Sequence, residues 1–136
     1  MFVKFTVFGL PQPQGSIKAY MPKGADRPVL TSDNKNLKPW RQEVAWMAKE
    51  AMRKAGYSAW TRPTAIRVRV SFYFPTPKRA KVSYKTTKPD IDKTLRGLLD
   101  ALTGICYEDD AQVCEVTAEK KFSISPQTIV FVDVLS

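Results

Sequence analysis

The chain has 136 residues, enough for one domain that buries a core without disulfides. Its 22 Lys+Arg against 13 Asp+Glu leave a net charge of +9, which points to a polyanionic partner, most simply nucleic acid. Histidine is absent, which excludes Ser-His and Cys-His nucleophilic systems, His-metal nucleases and nearly all zinc sites. Any chemistry must then rest on carboxylates, Lys or Arg, and a hard cation with oxygen ligands.

No apolar run approaches the length of a membrane span, and no basic amphipathic helix supports binding to a membrane surface. The N-terminus lacks the basic-then-apolar order of a signal peptide. Cys106 and Cys114 form neither a disulfide framework nor a CxxC pair, and read as reduced thiols in a cytoplasmic setting.

Residues Met1 to Leu10 are aromatic and β-branched and predict a strand. Pro11-Gln12-Pro13-Gln14-Gly15-Ser16 breaks it, and a long loop is expected to about Asn36. That loop carries Lys18, Lys23 and Arg27 with Tyr20, and reads either as an arm for a partner or as a plain surface loop. A helix is predicted from Leu37 or Pro39 to Gly56, with Trp40, Val44, Met47, Ala48, Ala51 and Met52 on its apolar face. Trp46 and Trp60 are left outside the predicted core. Ile66, Val68, Val70, Phe72 and Phe74 then alternate with Arg67, Arg69, Ser71 and Tyr73, the pattern of a half-buried strand that Pro75-Thr76-Pro77 ends.

Lys78, Arg79, Lys81, Lys85 and Lys88 follow, with Tyr84 among them. Between Glu50 and Asp90 there are ten Lys or Arg and no acid, whereas Asp90 to Glu119 holds eight of the 13 acids. One such basic run alone is an ordinary solvated linker; leading straight into acids, it reads as a phosphate grip for nucleic acid, with Arg67 and Arg69 added. Asp90 opens a helix that is expected to run to Thr103 and stop at Gly104. Leu95, Leu98, Leu99 and Leu102 form its apolar face, and Asp92, Arg96 and Asp100 share a polar stripe. Glu108-Asp109-Asp110 lies in the loop beyond. Strands are predicted from Gln112 to Phe122 and from Thr128 to Leu135, the last apolar on both faces and so central. The order β-α-β-α-β-β predicts an α/β (α+β) fold: a single two-layer domain with two main helices on one side of a small mixed sheet.

Clustered carboxylates repel one another unless a cation joins them. Asp90 and Asp92, two apart at a helix mouth, can serve one metal, with Asp109 or Asp110 supplying a third side. One or two Mg²⁺ ions so held would activate water and neutralise a scissile phosphate. The alternative is structural: Asp90 or Asp92 as a helix N-cap, and Asp109 and Asp110 as turn residues. An EF-hand is excluded, because the loop lacks the required Gly and closing Glu.

The stretches Asp90-Ile-Asp92-Lys-Thr-Leu-Arg96-Gly-Leu-Leu-Asp100-Ala-Leu-Thr and Tyr107-Glu-Asp109-Asp110-Ala-Gln112-Val resemble the RusA family of Holliday junction resolvases. The match is densest from Lys88 to Val113. The resemblance implies a RusA-like fold across residues 1–136. It also implies a small, basic, homodimeric endodeoxyribonuclease, of a kind often carried by phages and prophages, that uses Mg²⁺, with Mn²⁺ as a substitute. Its substrate would be branched DNA, resolved by paired symmetric nicks in recombination and repair. By the same resemblance the catalytic acids fall on Asp90, Asp92 and Asp110, with Asp109 as a further metal ligand and Asp100 as a helper. Two positions depart from the family: its usual helical lysine is Arg96 here, and a frequent Asn is Lys93. Either Arg96 or Lys93 would fill the family lysine's role, and both would orient the phosphate or steady the leaving oxygen. The competing reading is a non-catalytic DNA-binding recombination accessory protein of the same fold.

Overall fold

In the computed structural model, residues 1–15, 17–24, 26–32 and 34–136 are described, the side chains of Ile17–Tyr20 and Val29–Ser32 excepted. Alternation sets the sheet. Strand β1 spans Phe2–Phe8 and turns Val3, Phe5 and Val7 inward. Strand β4, Ile66–Pro75, buries Ile66, Val68, Val70, Phe72 and Phe74, the five residues that its period-2 pattern selects. Strands β5 (Val113–Ser123) and β6 (Gln127–Val134) complete a four-stranded mixed sheet of order β1-β6-β4-β5. β6 lies between β1 and β4 and is antiparallel to both, so the expectation that it is central holds. β4 and β5 run parallel.

The segment expected as one long loop differs. It contains strands β2 (Ile17–Tyr20) and β3 (Val29–Ser32), paired antiparallel as a separate two-stranded sheet. The short β-branched stretch Val29-Leu30-Thr31 lies beyond the turn residues that dominate the composition. Of Lys18 and Tyr20 only the backbone belongs to the described residues.

Helix α1 spans Leu37–Ala55 and ends where Gly56 adopts the left-handed conformation (φ 78°), its N–H donating to the Arg53 and Met52 carbonyls. Helix α2 spans Ile91–Leu102. Both helices cover the same face of the sheet. The buried line of α2 is rotated from the predicted leucine stripe: Thr94, Gly97, Leu98, Ala101 and Leu102 are buried, while Leu95 and Leu99 flank them. Gly97 explains the rotation. A Cβ placed there would lie 3.1 Å from Leu37 Cδ1 and 3.5 Å from Trp40 Cζ3, so its missing side chain lets α1 approach closely. Trp60, unplaced by the sequence pattern, is also buried, and its N–H donates to the Cys106 carbonyl at 2.8 Å.

A parallel pair needs a crossover, and α2 provides it between β4 and β5. That connection places the N-terminus of α2 at the carboxyl ends of the parallel strands, where open α/β sheets ordinarily bind their ligands. The C-terminus of α2 returns to the amino ends of β4 and β5.

Candidate active site

The chain enters α2 through Thr87-Lys88-Pro89, and Asp90 occupies the N-cap position with extended backbone (φ −67°, ψ 141°). Its carboxylate makes no capping hydrogen bond. Its carbonyl instead accepts from the Thr94 N–H and the Thr94 hydroxyl, each at 3.2 Å. Asp90 and Asp92 are both exposed, and among the described residues neither carboxylate is engaged by a hydrogen bond or ion pair. Two unspent negative charges thus stand at the positive end of a helix dipole. The capping role weighed for Asp90 is not what its side chain does.

Asp109 behaves oppositely. It caps the 3-10 turn Asp110–Gln112: its carboxylate accepts from the Ala111 N–H at 2.9 Å, and the Gln112 side chain accepts from the Asp109 N–H at 2.9 Å. The Ala111 N–H first, then a hydrogen bond with the Asp110 side chain and the Arg62 guanidinium at 3.3 Å, hold its pKa below the usual carboxylate range. Asp110 is exposed beside it. Asp100 and Asp110 both act on Tyr107: burial raises this phenol above its ordinary value, and these carboxylates add to the rise. The Tyr107 hydroxyl donates to the Leu99 carbonyl at 3.1 Å, fixing the loop to the end of α2.

The acids therefore form two groups at opposite ends of α2. Twelve residues of helix separate them, about 18 Å at 1.5 Å per residue. Along β5 the separation is similar: Lys120, whose ammonium touches the Asp90 end, lies seven residues from Val113, about 23 Å of strand. Among the described residues no three acidic or thiol side chains gather closely enough to hold a metal ion. The donor type suits a hard cation, but one chain brings only part of the set to either end. Arg96 is exposed midway along the stripe between Asp92 and Asp100, and Lys93 is exposed one residue past Asp92.

Beside Asp90 opens a cleft of about 720 Å³ between the Pro11–Gly15 loop, the end of β4 and the N-terminus of α2. Lys85, Lys88 and Lys93 line it. A second groove of about 770 Å³, between α1 and α2, carries Lys35, Lys38 and Arg41 and includes Asp100.

Comparison with known proteins decides the family. The profile described as endodeoxyribonuclease RusA matches residues 11–133, nearly the whole chain. The chain belongs to the RusA family. It is also 32% identical to an uncharacterized protein, YqaN, of Bacillus subtilis (strain 168), over 96% of this chain and 94% of that one. RusA membership makes it an endodeoxyribonuclease and accounts for its basic surface.

In this RusA chain the basic residues occupy two different faces. Lys78, Arg79, Lys81 and Lys88 are exposed on the loop that leads to Asp90. Lys85 is half-buried there, its ammonium 2.9 Å from Thr87 Oγ1 and 5.4 Å from the Phe74 ring centre. Arg67 and Arg69 instead lie on the sheet face turned away from the helices. Arg67 is forked onto Asp133 (3.1 and 2.5 Å), and Arg69 stacks 5.0 Å over Phe131. The sheet separates them from Asp90. Among the described residues no helix is long and apolar enough to cross a membrane.

Two site-building residues were not singled out by sequence reasoning. Lys120 falls on the inward parity of β5, opposite Phe72, and its ammonium donates to the Thr87 and Pro89 carbonyls at 2.8 Å each. It ties the approach to Asp90 onto the sheet. A lysine in step with Ala118 and Phe122, both packed on the core, was the available signal. Gln112 is buried and donates to the Trp60 and Thr64 carbonyls at 3.0 and 3.1 Å, which clamps the Asp109-Asp110 loop against the start of β4.

Proposed function

We propose that the protein is a Mg²⁺-dependent homodimeric endonuclease that resolves four-way DNA junctions by paired nicks, acting in the cytoplasm. The observation that carries this reading is the division of the acids. Asp90 and Asp92 are unspent at one end of α2, and Asp110 stands at the other. A two-fold partner, with its α2 antiparallel to that of the first copy, would bring the Asp110 end of one copy to the Asp90 end of the other. Each of two equivalent sites then holds three acids from two chains. Two sites related by a two-fold axis also match the approximate symmetry of a junction.

When bound there, Mg²⁺ would lower the pKa of an attacking water and offset charge on the scissile phosphate; Mn²⁺ would substitute, having the same preference for oxygen ligands. Asp90, Asp92 and Asp110 would hold it, with Asp109 orienting Asp110 through the turn that it caps. Arg96 and Lys93 would donate hydrogen bonds to the phosphate oxygens; Arg96, always charged, binds and orients without serving as a proton donor. Lys78, Arg79, Lys81, Lys85 and Lys88 would track the backbone beside the site. Arg67 and Arg69, on the other face, would reach DNA only where an arm wraps around the sheet.

The competing reading, a DNA-binding accessory protein without activity, draws on the separation of the acids within one chain. A synthetic four-way junction decides between them. The endonuclease reading requires nicking in Mg²⁺ and none in EDTA, with Asp92→Asn binding as tightly as the parent but failing to cut. Junction binding without nicking under any divalent cation would leave the accessory reading.

A further inference from the structure

Opening onto Asp90, the 720 Å³ cleft has a size and chemistry that the phosphate grip does not use. The volume falls within the roughly 300–1,000 Å³ typical of small-ligand pockets and suits a nucleotide rather than a duplex. Its rim is cationic, from Lys85, Lys88 and Lys93. Its wall opposite the helix is the Pro11–Gly15 loop, tied down by the Gln14 N–H, which donates to the Lys93 carbonyl at 2.9 Å. Apolar surface comes from Pro11, Pro13 and Pro89. Amide groups from Gln12 and Gln14 also line it, and the Gln14 side-chain oxygen is buried with no hydrogen-bond partner among the described residues. A buried acceptor without a donor is costly unless something supplies one. An anionic sugar-phosphate with a flat apolar base bearing N–H groups matches the cationic rim, the apolar walls and the unpartnered acceptor, with the Asp90 carboxylate at the cleft's edge left to the metal-binding role.

We propose that the cleft is a nucleotide subsite: it takes one unpaired nucleotide adjacent to the scissile phosphate while that phosphate lies at Asp90. The inference rests on the endonuclease reading above and adds a source of structure selectivity. Extruding a base from continuous duplex costs unpairing and unstacking, and that cost is least where pairing is already broken, as at a branch point. The cleft can therefore fill at a junction and stays empty on plain duplex. Selection then follows from pairing state as well as from four-way geometry.

The test uses the Asp92→Asn protein in EDTA with junctions carrying 2-aminopurine at each position within two nucleotides of the mapped cut. Fluorescence at one of these positions should rise several-fold at saturation. The rise should disappear when Gln14→Trp, which fills the cleft, is added, while the junction Kd stays within about threefold. Silence at every position despite saturated binding overturns the subsite, as does a rise that survives Gln14→Trp. Should Gln14→Trp not fold, 5-iodouracil at the bright position is crosslinked to the Asp92→Asn protein instead. Adducts in residues 10–15 or 85–93 support the proposal, and adducts elsewhere sink it. Nicking by the parent in Mg²⁺ keeps the two readings apart: a parent that cuts with silent 2-aminopurine loses only the subsite, and one that never cuts loses the endonuclease reading.

Discussion

Arg96 sits one helical turn from Asp92 and one from Asp100, so each acid is a ready i,i+4 partner, yet among the described residues it forms no ion pair with either. An uncommitted guanidinium between two acid positions is suited to a substrate phosphate. Arg96→Ala should lower kcat by about 100-fold with little change in junction Kd, in line with removing one preorganised donor. Arg96→Lys should recover much of the activity, since a lysine still supplies charge there. Parental turnover in Arg96→Ala, measured by single-turnover cleavage, would reduce the residue to helix support. Lys120 acts at one remove, as a positioning residue. Its two hydrogen bonds hold the carbonyls just before Asp90, so Lys120→Met should displace that carboxylate. A displacement near 1 Å predicts a drop of about 10–100-fold in kcat at nearly constant KM. Partial rescue by Lys120→Arg, which can donate to both carbonyls, separates positioning from a general failure of the fold.

At the scale of elements, the far acid group depends on one buried amide. Gln112 pairs three backbone groups: the carbonyls of Trp60 and Thr64 and the N–H of Asp109. Gln112→Leu keeps the volume but strips the Thr64 carbonyl and the Asp109 N–H of this partner, while the Trp60 carbonyl keeps the Glu108 N–H at 3.3 Å. The loss should cost about 1–3 kcal/mol in urea unfolding. It should also lower turnover, because Asp109 and Asp110 ride on the turn that Gln112 closes. Unchanged stability would mean that water replaces the amide at this spot. The packing of α1 on α2 illustrates the same dependence on a small detail. Gly97 permits the approach of Leu37 and Trp40, and through it α2 is held against α1 with its acid-bearing stripe outward.

For the molecule as a whole, the proposed two-fold dimer predicts a result that a single-chain site cannot give. Asp92→Asn and Asp110→Asn should each be inactive alone. Mixed and allowed to exchange subunits, they form heterodimers in which one of the two sites has Asp90 and Asp92 from one chain and Asp110 from the other, all intact. Random pairing should restore about a quarter of the parental sites, in a species that makes single nicks instead of paired ones. No recovery on mixing would place all three acids of a site in one chain and sink the shared site. Trp46, exposed on α1, remains as surface that a partner can cover, whereas Trp60 does not, being buried within its own chain. The basic loop belongs to this scale too. Paired Ala changes at Lys78 and Arg79 should weaken junction binding. They should also flatten its log–log salt dependence by about 0.9 for each phosphate the protein no longer neutralises, with cleavage recovering at saturating enzyme.

Wherever local periodicity decides the outcome, the sequence alone determined it. The five inward residues of β4, the apolar face and glycine stop of α1, the central place of β6 and the span of α2 each follow from spacing within one element. Asp90, Asp92 and Asp110 were likewise legible as candidates, because acids at a helix mouth and after its end form a pattern along the chain. Which candidates share a place was decided only by tertiary structure. The crossover from β4 to β5 sends α2 across the sheet, so its two ends, and the acids at each, come to rest on opposite sides of the domain. Sheet pleating put Arg67 and Arg69 on the face away from Asp90, and the register of β5 with β4 put Lys120 beneath it. Distances of this kind are set by how elements stack and in which direction they run, quantities to which the spacing of residues within any one element is blind.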